Sequence, residues 1–345
     1  MIRCNCLTTN IKCIGNRTRE VPVLAEESLI YHYCSASTFI AIMKSKSIRL
    51  SDLNKTNDYQ EKKWASRIIA QVLRERFESN GINFDLEEDY WYNDSSPNHL
   101  QYYKNEMNSI LFNEKPIFIS CFSQKGDLLS QWRAYGQDGT GLSIGFDYKK
   151  LKSLHNGKNI LIEKVCYQEV SQKNKLGALI DNAISYMRTM FSEDQVKISD
   201  DFNVYFENEF DCFCEVLLDY IGQVGCTIKN PAFSEEKEIR VIYDANFPIH
   251  EVEGDWEFIE AERFFHNTEN VDDFVFKPVD YFYRDNQLVP YCDLDFSKLI
   301  NQELIREIVI GPKCGFSEDD VYYFLFIHGF DANHINIRKS TATYR

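Results

Sequence analysis

Three groups of residues, far apart along the chain, have types and spacing that could do chemistry. His32 ends a short apolar strand pattern, Leu29 to Tyr33, just before a helix start, a position from which a side chain faces a ligand. The competing reading is a half-buried, hydrogen-bonded histidine. Trp132 and Tyr135 lie three apart, so both rings share one face of a helical turn. Glu236, Glu238 and Arg240 alternate along Glu235 to Tyr243, which puts two carboxylates and a cation on one face of a strand. Here the competing reading is a solvated edge strand. Arg49 and Ser51, on the extended stretch Ile48 to Ser51, complete the polar residues at strand ends. By residue type alone, His32 and Glu238 could serve as acid and base without a metal. The same set could equally bind a nucleotide or acidic ligand without turnover.

Other chemistries have no signature. No G-x-G-x-x-G follows a strand and no G-x-x-x-x-G-K-[ST] occurs, so neither a dinucleotide fold nor a P-loop is expected. G-x-S-x-G is absent, and nothing near Cys34 or Cys121 marks either as an activated nucleophile. The 11 cysteines include Cys4, Cys6, Cys13, Cys212 and Cys214, none in the paired C-x-x-C spacing of a zinc site. No metal is expected. An odd cysteine count, no secretory leader and no span of about 20 apolar residues read as a cytoplasmic protein with reduced thiols that makes no membrane contact. A net charge of −15 argues against an extended nucleic-acid surface. It leaves room for a nucleotide-sized ligand, which needs only one or two arginines.

The elements that must position these residues follow from periodicity. Ile117, Ile119 and Cys121 alternate with Phe118, Ser120 and Phe122 as a strand, and Gly141 to Phe146 forms a second strand after the Trp132–Tyr135 turn. Helices are expected over Ser37–Lys46, Glu61–Phe77 (with Asp58 as N-cap), Leu100–Phe112, Lys173–Phe191, Phe202–Val224 and Ser317–Phe330. Further strands are expected over Ile160–Tyr167, Phe274–Tyr283, Leu288–Leu294, Arg306–Ile310 and Ile335–Arg338. Ser79–Pro97 reads as an acidic, aromatic insertion loop. This predicts an α+β fold: a mixed, mostly antiparallel sheet packed with helices, one domain over 29–345 with loop and helical insertions. Residues 1–28 form an N-terminal arm, expected to be flexible.

The block SCFSQKGDLLSQWRAYGQDGTGLSIGFD, Ser120 to Asp147, resembles the signature of the bacterial domain-of-unknown-function family 2971. Tyr31–Ser35 with Ile48–Ser51, Asn57–Glu61, Phe233–Arg240, Ile310–Pro312 and Ser340–Arg345 resemble its other blocks, so the resemblance spans Leu29 to Arg345. That family carries no established activity. The order of histidine on a first strand, aromatic in the middle and glutamate on a late strand also resembles ADP-ribosyltransferases, and YHYCSASTFIAIMKSKSIRL is similar to their opening strand–helix–strand. That second resemblance implies NAD as substrate and cleavage of its nicotinamide–ribose bond, as in a bacterial toxin or defence effector. It implies that His32 holds the ribose, with Tyr33, Ser35 and Ser51 lining the same site. Tyr135 or Trp132 would stack on nicotinamide, Glu238 or Glu236 would face the ribose, and Arg49 or Arg240 would take the diphosphate. The types suit the reaction: an oxocarbenium-like transition state needs a carboxylate, a planar leaving base an aromatic surface, a diphosphate an arginine. The acceptor, whether protein, nucleic acid or water, is open. Cys34 stands where many such enzymes carry a small hydroxyl residue.

Overall fold

The computed structural model describes residues 29–55, 59–82, 117–153, 160–193, 201–210, 213, 214, 217, 224–244, 249–252, 255–258 and 276–344. The expected arm, the Ser79–Pro97 insertion beyond Ile82, the Leu100–Phe112 helix, Asp58, Cys4, Cys6, Cys13 and Cys212 lie outside them.

Twelve strands are described: β1 (Leu29–Cys34), β2 (Ser47–Asp52), β3 (Ile117–Ser123), β4 (Leu142–Asp147), β5 (Ile160–Lys164), β6 (Glu238–Asp244), β7 (Ile249–Val252), β8 (Asp255–Phe258), β9 (Asp280–Arg284), β10 (Gln287–Asp295), β11 (Ile305–Ile310) and β12 (Asn336–Lys339). The helices are α1 (Ala36–Ser45), α2 (Tyr59–Ser79), α3 (Leu129–Ala134), α4 (Tyr148–Ser153), α5 (Glu169–Glu193), α6 (Phe202–Asn208) and α7 (Glu318–Ile327). Ten strands form one sheet in the order β12-β11-β4-β1-β3-β2-β10-β9, with β6 on β3 and β5 on β6. Only β11 and β12 pair in parallel within it; the other described pairings are antiparallel. The fold is therefore α+β with a mixed, mostly antiparallel sheet, as the periodicity predicts.

Alternation gives each strand two faces. On one of them, here the core face, Ile30, Cys34, Ile48, Leu50, Phe118, Phe122, Ile144, Phe146, Ile239 and Val241 join Phe39, Ile42 and Met43 of α1 and Val321 and Leu325 of α7 in the largest apolar cluster. Each fully buried side chain of this size contributes about 1.5–3 kcal/mol. Ser35 caps α1, its Oγ accepting from the Thr38 amide at 3.1 Å. Ser317 and Asp320 close a capping box at the start of α7. A second cluster joins α2, α5 and α6 through Ile68, Val72, Phe77, Ile180, Ile184 and Phe206, and Cys214 packs inside it.

One junction organises the rest. A strand has two edges, and β6 occupies the whole of one edge of β3, from Ile117–Asp244 to Ser123–Glu238. The other edge is shared. β1 meets it at Tyr31–Ser123 and β2 at Ser51–Ile119 and Asp52–Phe118, so β1 and β2 fork apart around Cys121.

Candidate functional site

The Tyr31–Ser123 and Cys121–Arg240 pairs stand directly opposite, and so share a face. This front face carries Tyr31 and Tyr33 of β1, Cys121 and Ser123 of β3, and Glu238 and Arg240 of β6. β6 starts at Glu238, not at Glu235. Glu236 ends a 3-10 turn over Pro231–Glu236, and Lys237 turns the chain in the left-handed region at φ 47°. Glu236 therefore does not share a strand face by alternation. It reaches the same place because Pro231 forces the turn and Lys229, just before it, grips both glutamates.

Lys229 Nζ lies 2.6 Å from Glu236 Oε2 and 3.0 Å from Glu238 Oε2. Arg240 donates from Nε to Glu238 Oε1 at 2.8 Å and from Nη2 to Oε2 at 3.2 Å, and its Nη1 donates to the Cys226 carbonyl at 2.6 Å. The Glu238 backbone amide donates to the Tyr167 hydroxyl at 3.0 Å. Lys229, Glu238 and Arg240 are all buried, and Glu236 is half-buried. Burial alone would push the Glu238 carboxyl up. Arg240, Lys229 and a hydrogen bond from the Cys121 thiol outweigh it and hold that carboxyl at about 2. At Glu236 burial wins over Lys229, and the carboxyl is raised above its ordinary range. Two neighbouring carboxyls with opposite shifts divide into a permanent anion and a group able to hold or release a proton.

Tyr135 follows α3 and leaves 49% of its surface exposed. Burial around its hydroxyl and the nearby Glu236 charge push the phenol above its ordinary range, with Lys229, Cys121 and Glu238 also within electrostatic reach. Tyr135, Glu236 and Glu238 thus converge from distant segments, together with the exposed thiol of Cys121.

Other expected site residues are placed differently. Trp132 is wholly buried, its Nε1 donating to Asp127 Oδ1 at 2.8 Å and its ring edge-on to Tyr33 at 4.8 Å. It is a packing residue: α3 ends at Ala134 and Tyr135 is its C-cap with a non-helical φ of −122°, so the two rings do not share one helical face. Tyr33 is buried as well, its hydroxyl donating to the Lys125 carbonyl and accepting from the Leu128 amide. Ser35 is spent on its cap. Arg49 and Ser51 lie on the front face of β2, since Ser51 stands opposite Ile119. Arg49 is bonded to Asp293 at 3.1 Å and sits 3.4 Å from the Tyr291 ring centre. Arg240, engaged on both sides by Glu238 and Cys226, is part of the carboxylate's support rather than a diphosphate clamp.

His32 is the main correction. It alternates with Ile30 and Cys34 and so belongs to the core face, opposite to Glu238. Its ring lies 5.5 Å from that of Phe122, and its Nδ1 bonds the Cys121 carbonyl at 3.0 Å across the fork. Burial lowers its pKa, partly offset by that bond. The half-buried, hydrogen-bonded reading of this histidine holds, and an acid–base pair of His32 with Glu238 has the sheet between its members.

Sequence reasoning missed Lys229, Tyr167 and Asp127. Lys229 sits in a connector without periodicity, where its proximity to Pro231 and the acidic run Glu235–Glu238 is the only signal. Asp127 accepts from Trp132, from Ser340 Oγ at 2.5 Å, and from the Thr341 amide and hydroxyl at 2.7 and 2.9 Å, which ties the C-terminal segment beside α3. A neighbouring cluster, in which Glu307 accepts from Tyr31, Asn336 and Arg338, continues the front face onto β11 and β12. A separate cavity between Phe296, Ile300, Leu304, Phe330 and His334 touches none of these groups. Among the described residues, no His, Cys, Asp and Glu group forms a metal site and no helix is long and apolar enough to cross a membrane.

The fold and site define an α+β protein with a buried carboxylate–cation network opening beside an exposed tyrosine. Residues 131–241 match the model of a family described as "Protein of unknown function (DUF2971)". The match runs from α3 to β6 and carries Trp132, Tyr135, Glu236, Glu238 and Arg240; His32, Arg49 and Ser51 lie outside it. No curated protein and no solved structure matches the chain.

Proposed function

We propose that this protein cleaves the nicotinamide–ribose bond of NAD, as an ADP-ribosyltransferase or an NAD glycohydrolase. The observation that supports this is the meeting of Tyr135, Glu236 and Glu238 on the front face. In this reading the half-exposed Tyr135 ring stacks on nicotinamide. Glu238, held ionised by Arg240 and Lys229, is the anion that faces the positive charge developing on the ribose. The C1′–N bond breaks and its electron pair leaves with nicotinamide. The acceptor's nucleophile attacks C1′ and passes its proton to Glu236, whose carboxyl burial raises above its ordinary range, the direction that strengthens a base. His32, on the far face, touches no substrate in this scheme.

One observation favours a second reading. Both Glu238 oxygens are already occupied by Lys229 and Arg240, which suits a preorganised ligand-binding face without turnover. Incubation with NAD labelled on the adenosine side, plus cell lysate, separates the two. Free nicotinamide with labelled macromolecule supports transfer, and nicotinamide alone supports hydrolysis. Binding of NAD with neither product sinks the enzymatic reading. Glu236→Gln is the cleaner catalytic probe, because Glu238→Gln would also leave two buried cations short of an anion. It is expected to lower kcat about 100-fold or more while NAD still binds, the usual scale for a general base.

A further inference from the structure

We propose that His32 is a positioning residue for the face opposite to its own: it ties β1 to the Cys121 backbone across the fork and so sets the Cys121 thiol against the Glu238 carboxylate. This rests on the reading of the front face given above. The Gln124 amide donates to the Lys237 carbonyl, so the even-numbered residues of β3 bond β6 and the odd-numbered carbonyls point to the other edge. The Cys121 carbonyl therefore points into the fork, between the β1 contact at Ser123 and the β2 contact at Ile119. There it meets His32 Nδ1 at 3.0 Å. A carbonyl oxygen only accepts, so Nδ1 carries the proton, and a neutral ring is the Nδ1–H tautomer with Nε2 as the acceptor. The Phe122 ring, 5.5 Å away, holds the imidazole from the core side. Cys121 is thus fixed twice, through its carbonyl by His32 and through its thiol by Glu238. One residue of β3 carries the constraint from the core face to the front face.

The test uses the full chain with His32→Asn and His32→Leu. An asparagine amide can present its Nδ2–H where Nδ1–H stands; leucine fills the space and donates nothing. Two readouts are taken: alkylation of Cys121 by iodoacetamide, followed on its own peptide by mass, and nicotinamide release from NAD. The Leu variant is expected to alkylate faster at Cys121 by about tenfold, the equivalent of one lost hydrogen bond. Its kcat should fall with KM nearly unchanged, while the Asn variant stays close to wild type in both readouts. Equal behaviour of Asn and Leu, or a Leu variant with the wild-type alkylation rate, overturns the proposal. If the Leu variant does not fold, His32→Gln, whose amide reaches one methylene too far, replaces it under the same criteria. A wild-type protein that releases no nicotinamide refutes the NAD reading alone, since the Cys121 rates still decide the role of His32.

Discussion

At the scale of single residues, two aromatic rings three positions apart have opposite fates. Trp132→Ala removes a wholly buried ring whose indole N–H is bonded to Asp127. It should cost about 3–5 kcal/mol in denaturant unfolding. Tyr135→Ala removes a half-exposed ring and should leave the unfolding midpoint within a few degrees of wild type, while weakening NAD binding in calorimetry. Equal losses of stability from both would make Tyr135 a core residue too. Glu238 makes a pH prediction. Its carboxyl is held at about 2 against an ordinary value of 4.5, so the stability it contributes is present above 4.5 and drains away as pH falls towards 2. The raised Glu236 has the opposite sign: its contribution is full below its ordinary value and is lost as pH rises through its native one. Melting temperature followed from pH 6 downward should therefore fall steeply in wild type and less steeply in Glu238→Gln. Parallel curves would refute the assignment.

At the scale of elements, the junction of β1, β4 and β11 depends on missing side chains. A Cβ on Gly141 would stand 2.0 Å from the Cys34 carbonyl oxygen, and one on Gly311 would stand 2.5 Å from that of Gly139. Both obstacles are backbone and cannot rotate away. Gly141→Ala is expected to destabilise by about 1–3 kcal/mol or more, read from unfolding midpoints; an unchanged midpoint would show that the strands separate at no cost. Asp127 anchors the C-terminal segment by three hydrogen bonds and holds Trp132 by a fourth. Asp127→Ala should cost about 1–3 kcal/mol and should let carboxypeptidase remove residues 340–345 faster, while a wild-type digestion rate would mean that other contacts hold the segment.

At the scale of the whole molecule, the largest apolar cluster of the described residues joins strands from β1 to β11 with α1 and α7. Much of the fold was legible in the pattern alone. The alternation of Ile117–Ser123, the apolar faces of α1, α2 and α5, and the capped start of α7 each depend on local periodicity and turn chemistry, which a sequence displays directly. The site was legible in part. Its residue types at Tyr135, Glu236, Glu238 and Arg240 were readable. The expected strand at Glu235–Tyr243 starts three residues early, because a 3-10 turn before a strand shares its polar alternation, and stops one short of Asp244. What the sequence by itself determined was which residues face together within each element, since that depends only on the period of the backbone. Only the tertiary structure decided which faces meet. The pairing of β1 with β3 placed His32 behind the sheet from Glu238, and the chain's return at Lys229 made one network of two glutamates. Both depend on contacts between segments that local periodicity does not encode.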